Sequence, residues 1–430
     1  MRKIIIIAFL IRLLFIFGSY HPDLGNHTDW GNKFWEYGSK NFYSAGIWKV
    51  SWPNQPPGTM YMWAVIGKIN SSIQGVLWYF NTKIPLFPSM LIPFFQNNLH
   101  NALVKFPSVI TDLGIGYLIY LFIRYFKEVK KWQKILKPEI AAMLFLFNPL
   151  VIYNSSIWGQ TDSIINFLFL LAIYLYLVKN KLFLSIFFIF LSFYIKASLL
   201  IFVPLFALMI FNREKNKKKI IVSIIFNLFI FSLISIPFCR RNVFMWVFFL
   251  YKDRILGGQG NMLTGNAFNL WTIIFGIDFS KTDIGYFWGI SYKLWGISLF
   301  LINYLYIIWN FIKKRSKEFN LMFYYALLAF SSFMFLTNMH ERYLYPLFPY
   351  LTILTGLGLS SLYLYFGISL LHLINLFNLW FYPTIPFLRS LLENRQLMLP
   401  KILSGILLLL YILFFLKTEK FASKEYNKSR

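Results

Sequence analysis

Residues 213–237 read REKNKKKIIVSIIFNLFIFSLISIP. The basic cluster Arg213–Lys219 runs directly into an apolar segment that continues to Pro237. A helix of roughly 17–25 apolar residues crosses a ~30 Å hydrocarbon core. Beside a short basic loop, such a run is the pattern of a membrane helix leaving the cytoplasm. The pattern recurs along all 430 residues, of which 58% are hydrophobic, 21% aromatic and only 13% charged. Backbone groups in a bilayer must be satisfied internally, so helices are the expected spanning form. The runs are too long and unbroken for the alternation of a membrane barrel. The expected fold is all-α: a polytopic transmembrane helical protein.

The formal net charge of +26 reports topology. More than half of the 42 basic residues fall near the N-terminus and in Arg124–Lys137, Lys179–Lys181, Arg213–Lys219, Lys313–Lys317 and Lys417–Arg430. Short basic loops between apolar runs read as cytoplasmic, whereas a nucleic-acid surface would be one continuous stripe. No nucleic-acid partner is expected; the lipid bilayer is. The single Cys239 excludes intrachain disulfides and cysteine metal clusters. Arg12 interrupts the first apolar run, which is read as a retained helix rather than a cleaved signal.

One transmembrane domain over 1–430 is expected, with about 12 spans (range 11 to 14), both termini inside and no internal repeat. The first helix covers about 4–20. A first outer loop region follows over 21–100, where Pro53, Pro56 and Pro57 break any continuous helix. It holds either short helices on the membrane surface or one extra hairpin. Helices are placed near 105–126, 138–153, 163–178, 182–195, 198–211 and 219–237. A second outer loop spans 239–269, with a half-inserted piece at 266–277. Helices near 286–311, 319–337, 344–364, 366–382 and 400–416 precede a basic cytoplasmic tail, 417–430.

On this topology the unusual polar clusters share the outer side. His27-Thr28-Asp29-Trp30 carries the first. Asp29, a carboxylate beside the membrane, is a candidate general base; equally, it could cap a helix starting near Trp30. His340-Glu341-Arg342 offers a fork and an imidazole that can hold a phosphate, or else a local Glu341–Arg342 ion pair. Arg240, Arg241 and Arg254 run against the positive-inside bias, and binding an anionic lipid head group would explain them. Trp158-Gly159-Gln160-Thr161-Asp162 lies between two helices, as a turn with a cap or as part of a site. Lys105, Asp112 and Lys196 are costly in a bilayer and are expected to form internal ion pairs. No metal triad is present, and neither metal nor cofactor is expected.

Several strings together resemble the GT-C glycosyltransferases, most closely the prokaryotic members related to GPI-anchor mannosyltransferases. They are IRLL…HPD…HTDW over 11–30, QPPG at 55–58, KFPSVITDL at 105–113 and NPLVIYNSSIWGQTDS at 148–163, with LTGNAFNLW at 263–271 and TNMHERYLYP at 337–346. The resemblance implies a GT-C-like fold in a prokaryotic cell membrane. It also implies transfer of a hexose, mannose-type favoured, from a polyprenyl-phosphate donor to a lipid-linked glycan, protein or cell-envelope acceptor. Transfer would occur on the outer face, by a metal-independent inverting displacement. Asp29 would be the base, and His340 and Arg342 would lie near the donor phosphate, with Arg240, Arg241 and Arg254 as further anion-binding residues. His27, Trp30, Gln55, Trp158, Gln160, Asp162 and Glu341 would line the pocket. Gln55-Pro56-Pro57 stands where Tyr-Pro-Pro is commoner in that family. The competing readings are a transporter or lipid flippase, an oligosaccharide polymerase or ligase, and a non-catalytic assembly subunit.

Overall fold

The computed structural model describes residues 1–128, 136–239, 242–257, 260–313 and 318–428. Among the described residues the protein is all-α apart from a two-stranded hairpin, Tyr286–Phe287 with Ile290–Ser291. Four helices among the described residues are long and apolar enough to cross a membrane: Leu91–Glu128, Lys217–Phe238, Tyr292–Lys313 and Leu399–Lys417. A fifth span results if Pro138–Leu146 and Pro149–Trp158, bent by 49° at Asn148, count as one. Shorter apolar helices accompany them, including Asp162–Leu177 and Leu182–Ile195. This is an integral membrane protein. The sequence leads to about twelve full spans, and the smaller number of long helices has a local cause: polar or proline residues end helices within apolar runs, as at Lys196 and Pro149.

The chain divides into two compact units, one of 2–114 and 155–259, the other of Met1, 115–154 and 260–430. In the first, the 21–100 region contains long helices rather than short surface pieces. Pro57 occupies the opening turn of helix Pro57–Lys83, where its missing N–H costs nothing. At 1.5 Å per residue this helix is about 40 Å long. A turn at 84–90 leads into helix Leu91–Glu128, and the Gln74 amide donates to the Phe95 carbonyl at 2.9 Å across the hairpin. Helix Pro22–Tyr37 packs on Pro57–Lys83 through two glycines. A Cβ on Gly31 would sit 2.5 Å from the Trp63 carbonyl, and one on Gly67 would lie 3.1 Å from the Gly31 backbone. Small residues let helix backbones approach this closely in a membrane. Trp30, Trp63, Met60, Phe42 and Phe238 form the buried centre of this unit.

The second unit is built on helices Glu318–Phe335 and Leu347–Gly356, which are buried nearly all round, as expected of helices apolar on every face. Gly356 makes the close approach: a Cβ there would meet Ile123 at 2.7 Å. Helices Tyr292–Lys313 and Leu399–Lys428 keep an exposed apolar stripe, with Ile302, Leu305, Leu409 and Leu413 among its residues. Such stripes suit contact with lipid rather than water.

Candidate functional site

In the first unit, helix Pro22–Tyr37 carries the earliest cluster. His21 caps it, Nδ1 accepting the Asp23 N–H at 3.1 Å, and Pro22 opens it. Asp29 therefore sits two turns inside the helix and does not cap it. Its Oδ2 accepts the Lys49 backbone N–H at 2.9 Å, fastening the loop that follows. His27 is buried and stacks on Trp63, with ring centroids 4.4 Å apart. Trp30 donates its indole N–H to the Ser51 carbonyl at 3.0 Å. The Gln55 carbonyl receives the Tyr43 hydroxyl at 2.7 Å, and burial pushes that hydroxyl well above its ordinary pKa.

The segment after Trp158 closes on the same helix start. The Gln160 amide donates to Asp23 Oδ2 at 2.6 Å, and the His21 ring lies 4.5 Å from Trp158. Asp162 opens helix Asp162–Leu177 and pairs with Lys196 at 2.8 Å. Arg12 pairs with Asp112 at 3.2 Å, both fully buried, and the Ser155 hydroxyl donates to the same carboxylate oxygen at 2.5 Å. Lys105 has a different kind of partner from the carboxylate expected for it. Its ammonium donates to the Ile16 and Ser19 carbonyls at 3.2 and 2.7 Å and to Ser19 Oγ at 2.8 Å. A cation at the C-terminal end of helix Arg2–Ile16 is favoured by the helix dipole. Arg254 lies with its guanidinium over the Trp52 ring at 4.4 Å. Arg240 and Arg241 lie outside the described residues.

The second unit holds the late cluster. Asn338 adopts φ 58°, its N–H shared between the Met262 and Leu263 carbonyls at 3.1 and 3.2 Å. Gly265 N–H donates to the Met339 carbonyl at 2.8 Å, and a Cβ on Gly265 would meet His340 Nδ1 at 2.8 Å. The strings at 263–271 and 337–346 are thus paired backbone to backbone. Glu341, buried, binds Arg342 at 2.8 Å, and the Arg342 guanidinium lies 5.4 Å from the Tyr343 ring.

Residues not singled out from sequence complete this loop. Asn375 donates to the Asn266 carbonyl at 2.6 Å and accepts the Phe268 N–H at 3.0 Å. Asn378 donates to Asn266 Oδ1 at 2.5 Å, while Asn266 donates back to the Asn378 carbonyl at 3.0 Å. Asn269 caps helix Leu270–Phe275 and reaches the Phe333 carbonyl at 3.2 Å. Irregular backbone buried in a membrane protein needs such partners. Two asparagines three apart at the end of an apolar helix, Leu362–Phe377, were the available signal.

The architecture and these clusters define a class first: an all-α integral membrane protein in which the charged and amide side chains described above are tied in pairs and short networks. Within it, residues 74–252 match the family described as GPI transamidase subunit PIG-U. No curated protein matches the chain. The family match corrects the sugar-transfer reading. A transamidase exchanges partners on an amide, not on a glycosidic bond, and the matched family is a subunit of one. The hexosyltransferase assignment and the polyprenyl-phosphate sugar donor fall with it. What stands of the resemblance is the all-α membrane protein. Neither mannose-type transfer nor a prokaryotic assignment finds support in the match.

Proposed function

We propose that the chain is a membrane-embedded, non-catalytic subunit of a GPI transamidase-type complex, with its basic loops on the cytoplasmic side. The observation that carries the reading is the match of residues 74–252 to a subunit of that kind. The local chemistry agrees with it. Transfer between amides needs an activated nucleophile with a base in reach, and the only cysteine, Cys239, turns its thiol to the Ile236 carbonyl at a helix end. Arg12 with Asp112, and Lys196 with Asp162, neutralise each other in place. On this reading the reactive groups belong to a partner chain, and this chain supplies a membrane frame. Of the alternatives weighed from sequence, the ligase shares its joining of a glycolipid to an acceptor.

The test is native mass after mild-detergent extraction of a tagged full-length chain from its own host. The expected result is an assembly well above the 51.1 kDa chain, containing a chain with amidase-type nucleophile chemistry, and loss of glycolipid-attached proteins when the gene is deleted. Extraction at the single-chain mass, with attachment unchanged by deletion, would sink the proposal.

A further inference from the structure

A cavity of about 470 Å³ opens in the first unit between the starts of helices Leu182–Ile195 and Lys217–Ser235. Lys181, Lys218 and Lys219 stand on its wall, with Glu214 the one carboxylate among its lining residues. Among the described residues none of the three ammonium groups meets a protein acceptor. Neighbouring cations are already engaged: Lys217 folds back onto the Phe211 and Glu214 carbonyls, and Arg213 donates to the Leu177 carbonyl at 3.0 Å and to Asn180 Oδ1 at 3.5 Å. The Arg213 contacts pin the 177–180 turn to the opposite wall. Phe183 packs on Phe226 at 5.5 Å and closes the base.

The floor is apolar and continues beyond the cavity. Phe183, Leu184 and Val222 line it and stand exposed. From Val222, positions 225, 226 and 229 follow on one helical face, and Ile225, Phe226 and Phe229 are all exposed. A cluster of unpaired lysines at the head of an exposed apolar track is complementary to a negative head group carrying acyl chains. The loops involved are the short basic ones that read as cytoplasmic, the side on which basic pockets between membrane helices hold anionic lipids.

We propose that this cavity binds one anionic phospholipid of the inner leaflet, its phosphate among Lys181, Lys218 and Lys219 and an acyl chain along Val222, Ile225 and Phe229. The proposal does not depend on the transamidase reading, since it concerns only this chain and a bulk lipid.

The experiment titrates the purified full chain in detergent micelles with dioleoyl phosphatidylglycerol and with dioleoyl phosphatidylcholine, counting bound lipid by native mass spectrometry. The expected result is saturable binding of one phosphatidylglycerol, at least ~10-fold tighter than phosphatidylcholine. The combined change Lys181→Gln, Lys218→Gln, Lys219→Gln weakens it by about 10²-fold, from roughly 0.7 of a decade per lysine. The corresponding three-fold Lys→Arg variant retains it. A control removing equal charge elsewhere, Lys83→Gln with Lys281→Gln and Lys293→Gln, leaves binding unchanged. Equal loss in that control, or unchanged binding in the cavity variant, overturns the proposal. So does displacement of the lipid by millimolar inorganic phosphate, which would make the cavity a site for the free ion.

Discussion

The Arg12–Asp112 pair offers the sharpest measurement on this fold. Both side chains are fully buried, 3.2 Å apart, and the carboxylate also receives the Ser155 hydroxyl while the guanidinium donates to the Ala8 carbonyl at 3.2 Å. Arg12→Met leaves a buried carboxylate without its counter-charge, and Asp112→Leu leaves a buried guanidinium. Either change is expected to cost about 3–5 kcal/mol. The double variant removes both charges and puts apolar volume in their place. What remains is the loss of one bond by the Ser155 hydroxyl, which keeps Ser156 Oγ at 3.2 Å as a partner, about 0.5–1.5 kcal/mol. The double variant should therefore be more stable than either single one, with a coupling energy of several kcal/mol, above the usual range for neighbours. Unfolding in mixed micelles with increasing dodecyl sulfate, followed by tryptophan fluorescence, gives the three free energies. Additivity within about 0.5 kcal/mol, or a double variant as unstable as the worse single one, would refute a mutually dependent pair.

Three further outcomes follow from the same geometry. Gly31→Val forces a side chain against the Trp63 carbonyl, 2.5 Å from its Cβ, and should cost about 1–3 kcal/mol by overpacking; an unchanged detergent melting temperature would show that the two helices can separate freely. Asn266 combines φ 70° with buried bonds to Asn378. Asn266→Ala should lose the bonds and strain the backbone, whereas Asn266→Gly loses only the bonds and should be more stable than Asn266→Ala by about 1–2 kcal/mol, read as a higher melting temperature. Asp29→Asn keeps an oxygen for the exposed Lys49 N–H and should be close to neutral, while Asp29→Ala should cost about 0.5–1.5 kcal/mol. Limited proteolysis near Lys49 reads the difference, and equal cleavage of the two variants would remove Asp29 from loop fastening.

The helical membrane class was legible because apolar length and loop charge are local signals. Leu182–Ile195 and Asp162–Leu177 fall within a residue or two of the ranges read from sequence. The 21–100 region was harder. Prolines 56 and 57 mark the cap and first turn of a 27-residue helix, and proline by itself does not tell a helix's start from its interruption. Pro107 sits inside helix Leu91–Glu128, where membrane burial tolerates it. For the polar clusters, sequence identified costly residues without identifying their partners. Arg12 and Asp112 lie 100 positions apart, and Lys105 meets carbonyls where a carboxylate was expected. Beyond their spacing, Asn375 and Asn378 carry no sequence signal of their own, because an asparagine in an apolar run announces no chemistry apart from the loop it completes.

Why strings that resemble those of a glycosyltransferase occur in a chain matching a transamidase subunit has a physical answer in these contacts. A membrane protein must end and restart helices inside or beside a bilayer, and each break frees backbone donors and acceptors that water does not reach. Asparagine, aspartate, histidine and glycine are the residues that satisfy such breaks or permit the needed turns. The same residue types at the same helix ends can also hold a proton or a phosphate, so a short string does not separate the two uses. In this chain Asp29 holds a loop, Gln160 holds Asp23, and Gly265 admits His340 against its backbone. Each contact is one that a frame requires whether or not chemistry takes place beside it. The lettering that the two uses share is what lets the helices break where they do.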